Sequence, residues 1–140
     1  MLTIHDFPPI FDEIDARFHV RGKPIIFAFG DRIFNPTGIA LTPHLMAHEA
    51  VHSRRQGGDI VGWWRRYIDD PQFRLEEEIP AHRVEYRSMI AAAAFGVGNR
   101  HERRSVMSHA AIDVGVKLAS PLYGRLVGRG RAIQLVKEAA

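Results

Sequence analysis

The stretch from Leu41 to Gln56 constrains the fold most, because it predicts one well-delimited helix that carries two histidines four residues apart. Thr42-Pro43 is a favourable start, with a hydroxyl at the N-cap and proline in the first turn, and Gly57-Gly58 is a typical stop. Inside this helix, His48-Glu49-Ala50-Val51-His52 forms an HExxH motif. Successive helical residues turn by about 100°, so both histidines share one face and lie about 6 Å apart along the axis. Both rings can therefore reach one small cation.

The residue types in the chain limit what that cation site can be. Zinc prefers imidazole nitrogen, and a catalytic zinc site takes three protein ligands. The chain has no cysteine, which excludes disulfides and any cysteine-based zinc site. Glu49 is turned slightly off the histidine face, a position that suits a general base acting on water at a metal. The motif predicts a zinc hydrolase; an accidental match in a chain with eight histidines is the alternative.

Composition indicates a single globular domain of 140 residues, 46% hydrophobic and 25% charged. The net charge is only +3. This small excess of positive charge makes binding to a nucleic acid an unfavoured expectation, although it does not exclude it. No signal peptide is visible, and the longest apolar run, Met89 to Val97, is too short to span a bilayer. We expect no membrane contact and a cytoplasmic location, with virion association as the alternative. Oligomeric state is left open.

Periodicity and turn residues predict an α+β fold that is mostly helical, with a small N-terminal β-hairpin or sheet packed on the HExxH helix. Ile25–Phe29 and Arg32–Phe34 form the hairpin, and Ile39–Leu41 is a candidate third strand. The hairpin offers an edge strand that an extended peptide can join. We divide the domain into residues 1–41 (N-terminal helix and hairpin), 42–98 (HExxH and third-ligand helices) and 99–140 (basic C-terminal helices).

The helices after the motif must supply a third ligand. Ile60 to Ile68 predicts a short helix whose Trp63 and Trp64 pack in the core. A longer helical pattern, Arg74 to about Phe95, contains Pro80, which predicts either a kink or a new helix there. Arg55 stands where HExxHxxGxxH needs glycine, so that variant is excluded. The remaining candidate ligands are Glu76, Glu77, Glu78, His82, Glu85, His101 and His109.

Glu78-Ile79-Pro80-Ala81-His82 narrows this choice through a family resemblance. The chain resembles gluzincins, HExxH metallopeptidases whose third ligand is a glutamate on the following helix, often followed three residues later by alanine and four later by a polar residue. The resemblance implies that Glu78 is the third ligand and that His82 orients a ligating histidine. Glu77 is the alternative if Pro80 rotates the register. The chain is also similar to small single-domain phage and prophage proteins over Phe27–Pro36, His48–Gln56, Glu78–Tyr86 and Ser120–Gly124.

This resemblance implies a single-domain, zincin-like metallopeptidase that hydrolyses a peptide or protein substrate. His48, His52 and Glu78 would bind Zn²⁺, and Glu49 would act as the general base. The candidates for supporting a ligand or stabilising the transition state are His82, Tyr86, His44 and His109; the substrate-binding residues are not specified. Two alternatives stay open: a zinc-binding protein with restricted catalysis, and a basic helical phage-type interaction or assembly factor whose HExxH is accidental.

Overall fold

Six α-helices and a three-stranded sheet make up the part of the chain that the computed structural model describes, residues 1–95 and 98–138. Helix accounts for 64% of the structure, which confirms a mostly helical α+β fold. The strands are β1 (Leu2–Ile4), β2 (Phe27–Phe29) and β3 (Arg32–Phe34). The helices are α1 (Phe11–Phe18), α2 (Pro43–Gln56), α3 (Ile60–Asp69), α4 (Pro71–Ala94), α5 (Arg100–Leu118) and α6 (Arg129–Lys137), with a 3₁₀ turn at Pro121–Tyr123.

The sheet has the order β1-β3-β2, with β3 antiparallel to β2 and parallel to β1. The predicted hairpin is confirmed; it closes at Gly30, whose φ of 62° favours glycine. The predicted third strand at Ile39–Leu41 is wrong. The Asn35 side chain binds both the N–H and the carbonyl of Ile39, at 3.0 and 2.9 Å, and so replaces the strand pairing that Ile39 needs. The third strand is β1, from the N-terminus.

The predicted α2 is confirmed at both ends. Thr42 Oγ1 accepts a hydrogen bond from the Leu45 N–H at 3.3 Å, and Pro43 is the first helical residue. The helix ends before Gly57, whose φ is 60°. Asp59 then caps α3 by accepting from the Gly62 N–H at 2.9 Å. Because these caps and stops are local, they were readable from the sequence.

Helix α4 runs without a break through Pro80, so no new helix begins there. Proline removes the backbone bond that Glu76 would accept, but the flanking turns keep the helix continuous. Asp70 caps the start by accepting from the N–H groups of Gln72 and Phe73. One continuous helix thus carries Glu78, His82 and Glu85 at i, i+4 and i+7, on a single face.

Two apolar clusters flank this arrangement. The first joins α1, the sheet and α3, and it includes Trp63, Trp64 and Tyr67, so both tryptophans pack in the core as predicted. The second joins α4, α5 and α6 around Tyr86, Val114 and Leu118. Within residues 1–95 and 98–138, no helix combines the length and apolar character that crossing a bilayer requires.

Candidate metal centre

Helices α2 and α4 lie side by side and bring His48, His52 and Glu78 together. The two Nε2 atoms of the histidines are 3.1 Å apart. Glu78 Oε2 is 3.5 Å from His48 Nε2, and Glu78 Oε1 is 3.4 Å from His52 Nε2. All three side chains are buried, with at most 7% exposed. Two imidazole nitrogens and one carboxylate therefore converge beneath the surface.

The spacing of these atoms suits a metal site. For ligand bonds of about 2.0–2.2 Å, neighbouring ligand atoms of a tetrahedral site lie about 3.3–3.6 Å apart. The three observed distances, 3.1, 3.4 and 3.5 Å, fall close to that range. Glu78 Oε2 is also buried without a hydrogen-bond partner among the described residues. Since an unpaired buried carboxylate oxygen is costly, a bound cation would stabilise this arrangement.

Neighbouring side chains hold Glu78 in place. The Tyr67 hydroxyl, from α3, donates to Glu78 Oε1. His82 is fully buried, and its Nδ1 lies 2.8 Å from the Glu78 backbone carbonyl. Burial would raise the pKa of Glu78, but His52 and His48 hold it well below its usual range. The carboxylate is thus ionised and ready to bind a cation.

Glu85, and not His82, is hydrogen-bonded to one of the candidate ligand histidines, His48. Its Oε2 is 2.9 Å from His48 Nδ1, and its Oε1 accepts from the Lys117 ammonium of α5. Burial opposes a charge on His48, but the adjacent carboxylates of Glu78 and Glu85 outweigh it and raise the pKa of His48 to about 10. The pKa of Glu85 falls to about 2, since the His48 and Lys117 contacts outweigh burial. An acceptor at Nδ1 leaves Nε2 as the nitrogen that could bind a metal.

His48, His82 and Glu85 form a second group with metal-ligand spacing. It shares His48 with the first group, and the Lys117 ammonium already neutralises Glu85. Burial lowers the pKa of His82, so its ring is neutral. The His82 ring packs edge-on against the rings of His48 and Tyr123, with centroids 4.6 and 5.5 Å apart. Through these contacts, His82 and Glu85 support the position of His48 in the first group.

Glu77, the alternative third ligand, points away from the histidines. Its two carboxylate oxygens accept from Arg55 Nε and Nη2, at 2.8 and 2.9 Å. Trp63 Nε1 adds a third hydrogen bond at 3.1 Å. Because α4 is continuous through Pro80, Glu78 faces α2, whereas Glu77 forms an ion pair with Arg55.

Glu49 lies beside the cluster, 7% exposed, in the wall of a cavity that His48, His52 and Glu78 also line. Burial raises the pKa of Glu49, although His48 and His52 act in the opposite direction. A buried carboxylate with a raised pKa, close to a candidate metal position, is suited to accept and release a proton.

The other predicted residues lie elsewhere. His44 Nε2 is 3.1 Å from Thr42 Oγ1, at the start of α2. Tyr86 is buried in the second apolar cluster, and His109 is exposed on α5, 2.8 Å from the Ser105 carbonyl. None of these three lines the cavity. Their spacing in the sequence carried no information about the direction in which each side chain points.

Tyr67, Lys117 and Tyr123 line the cavity, and sequence reasoning missed them. The buried Arg74 fixes the Tyr123 backbone, donating from Nη1 to its carbonyl at 2.8 Å. Burial, together with Glu78, Glu49 and Glu85, raises the pKa of Tyr123 well above its usual value, so its hydroxyl stays protonated. The sequence pointed to Tyr123 only through its place in the Ser120–Gly124 segment. It gave no indication that Tyr67 or Lys117 would line the cavity.

The cavity has a volume of about 290 Å³. The His and Glu cluster forms part of its lining, and most of the other lining residues are apolar side chains, including those of α1, α3 and the segment that leads into β2. In the predicted edge strand, the Ala28 carbonyl of β2 already accepts from Gln56 Nε2 and Trp64 Nε1.

Comparisons with protein-family models, curated proteins and solved structures gave no match to this chain. Its function must therefore be inferred from the site itself. On that basis, the buried His and Glu cluster is a group of residues that can bind a metal ion.

Proposed function

We propose that this protein is a zinc-dependent hydrolase of peptide bonds with a gluzincin-like, zincin-type site. The observation that carries the proposal is the convergence of His48 Nε2, His52 Nε2 and the Glu78 carboxylate at mutual distances of 3.1–3.5 Å. Glu49 lies beside them in the same cavity. An accidental HExxH has no reason to meet a buried third ligand from another helix.

The donor set favours zinc. Two imidazoles and one carboxylate are a ligand set of catalytic zinc sites, which keep a fourth position open. Hard cations such as Mg²⁺ and Ca²⁺ prefer oxygen ligands alone. Bound by His48, His52 and Glu78, zinc would supply a Lewis acid that activates water and polarises a carbonyl.

The chain's own side chains then have separate roles. Glu49 accepts the proton of the attacking water at its carboxylate and delivers it to the leaving amine. Tyr123, kept protonated, donates a hydrogen bond to the carbonyl oxygen as negative charge develops there. Glu85 holds the His48 ring through Nδ1, and Tyr67 holds the Glu78 carboxylate. The apolar walls of the cavity exclude water from the reacting groups, which strengthens these interactions.

The test of the metal site is zinc content, measured by elemental analysis after chelation and reconstitution. We expect one zinc per chain in the wild type and none in His48→Ala or Glu78→Ala. Glu77→Ala is the matched control, because it removes the neighbouring carboxylate from the same helix and should retain zinc. Loss of zinc in Glu77→Ala with retention in Glu78→Ala would refute this ligand assignment, and a zinc-free wild type would refute the site.

The test of catalysis uses Glu49→Gln, an isosteric change that removes the base. We expect this variant to bind one zinc and to lose cleavage of a peptide library that the wild type cleaves. Glu76→Gln, an exposed change on α4, is the control and should cleave normally. If the wild-type protein bound zinc but cleaved no peptide, the peptidase proposal would be refuted and a metal-binding role would remain.

A further inference from the structure

The apolar part of the cavity has no role in binding a metal, and it extends into the first core cluster. Its walls include Ile14, Phe18, Ile25, Phe27, Trp64 and Leu122. We infer that this part of the cavity binds a large apolar side chain of the substrate, next to the bond that is cleaved. The inference rests on the proposed function for its chemistry, while the binding of an apolar group can be measured without zinc.

The volume sets the size of the group. An apolar cavity of roughly 150 Å³ accommodates benzene. The cavity here, about 290 Å³, is nearly twice as large, and part of it lies beside the candidate metal ligands. The remaining space suits a bulky group, up to a two-ring aromatic.

The walls select against polar groups. Trp63 Nε1 donates to Glu77, and Trp64 Nε1 donates to the Ala28 carbonyl. The Tyr67 hydroxyl donates to Glu78. Because these polar atoms are already paired, the indole rings present carbon to the cavity. A polar side chain placed there would lose its hydration without gaining a partner, which is unfavourable.

The position of the cavity links this group to the chemistry. His48, His52, Glu49 and Glu78 line the same cavity as the apolar residues. A side chain held in the apolar part therefore places its own backbone beside Glu49 and the metal ligands. Recognition through this side chain takes the place of pairing with β2, since the Ala28 carbonyl is already engaged.

The experiment compares three hydroxamates on zinc-loaded protein by isothermal calorimetry: acetohydroxamate, a naphthylacetyl hydroxamate and a succinamyl hydroxamate. All three bind zinc through the same group. A naphthyl group buries on the order of 150 Å² of apolar surface, so we expect at least ~50-fold tighter binding than for acetohydroxamate. The succinamyl compound should gain nothing. Equal binding of all three would overturn the inference while leaving the zinc site intact.

A zinc-free measurement separates the two proposals. Naphthalenemethanol, which has no metal-binding group, should bind metal-free protein and change its own fluorescence. Binding of this alcohol with no binding of any hydroxamate would refute the proposed function and support the apolar cavity. No binding of the alcohol, in protein that binds acetohydroxamate and the naphthyl compound equally, would refute the cavity alone.

Substitutions that fill the cavity complete the test. Ile25→Trp, at a half-buried wall position, should abolish binding of naphthalenemethanol and leave zinc content unchanged. Ile112→Trp, at a position 40% exposed on α5, is the matched control and should bind the alcohol normally. Ile39→Trp, from the loop before α2, fills the same cavity if Ile25→Trp fails to fold. Undiminished binding in a folded filling variant would contradict the location.

Discussion

Glu85 allows the most direct test of how the site is held, because its side chain joins a proposed ligand, His48, to Lys117. Its Oε2 lies 2.9 Å from His48 Nδ1, it is 1% exposed, and Lys117 pairs with its other oxygen. Removing an acceptor that orients a ligating histidine typically lowers metal affinity by about 10–100-fold. We expect Glu85→Gln to lower zinc affinity by about tenfold, since the amide oxygen can still accept a hydrogen bond from His48 Nδ1. Glu85→Ala should lower zinc affinity by about 100-fold, because the buried Nδ1–H of His48 then has no hydrogen-bond partner.

These changes correspond to about 1.4 and 2.8 kcal/mol of zinc-binding free energy. The assay is competition for zinc against a chelator of known affinity at fixed pH, with circular dichroism to verify that each variant is folded. Glu76→Gln, an exposed carboxylate on the same helix, is the control and should change affinity less than twofold. Wild-type affinity in folded Glu85→Ala would refute the argument that Glu85 positions His48.

Three further measurements follow from the structure. Zinc binding at pH 7 should release about one proton per chain, because His48 carries a proton at Nε2 until zinc displaces it. For the same reason, zinc affinity should rise with pH up to about 10. Calorimetry in buffers of different ionisation enthalpy measures the proton release, and an absence of release would contradict the prediction. Tyr123→Phe should keep zinc and lower kcat for peptide cleavage by about 10²–10³-fold; an unchanged kcat removes Tyr123 from the mechanism. Gly115→Ala should destabilise the fold by about 1–3 kcal/mol in denaturant unfolding, since its Cβ would lie 2.7 Å from Ile133 Cα. Gly130→Ala, in a helix with open space, should be neutral or stabilising by up to about 1 kcal/mol, and equal effects of the two would refute the packing argument.

Much of the secondary structure was readable from local signals. The start and end of α2 depend on Thr42, Pro43 and Gly57, and each acts on its immediate neighbours. The hairpin followed from two apolar runs around Gly30-Asp31. The error at Ile39–Leu41 arose because the Asn35 side chain takes up the backbone of Ile39. Such side-chain capping of a loop has no periodicity to detect.

The sequence by itself determined one half of the site, His48, Glu49 and His52 on one helix, because a separation of four residues defines a helical face. It also limited the third ligand to a few downstream residues. Only the tertiary structure placed Glu78, and not Glu77, beside the two histidines, since this depends on the register of α4 through Pro80 against α2. The contacts of Glu85 with His48 and Lys117 were likewise decided by packing, because pairs 37 and 32 residues apart in the chain leave no local pattern.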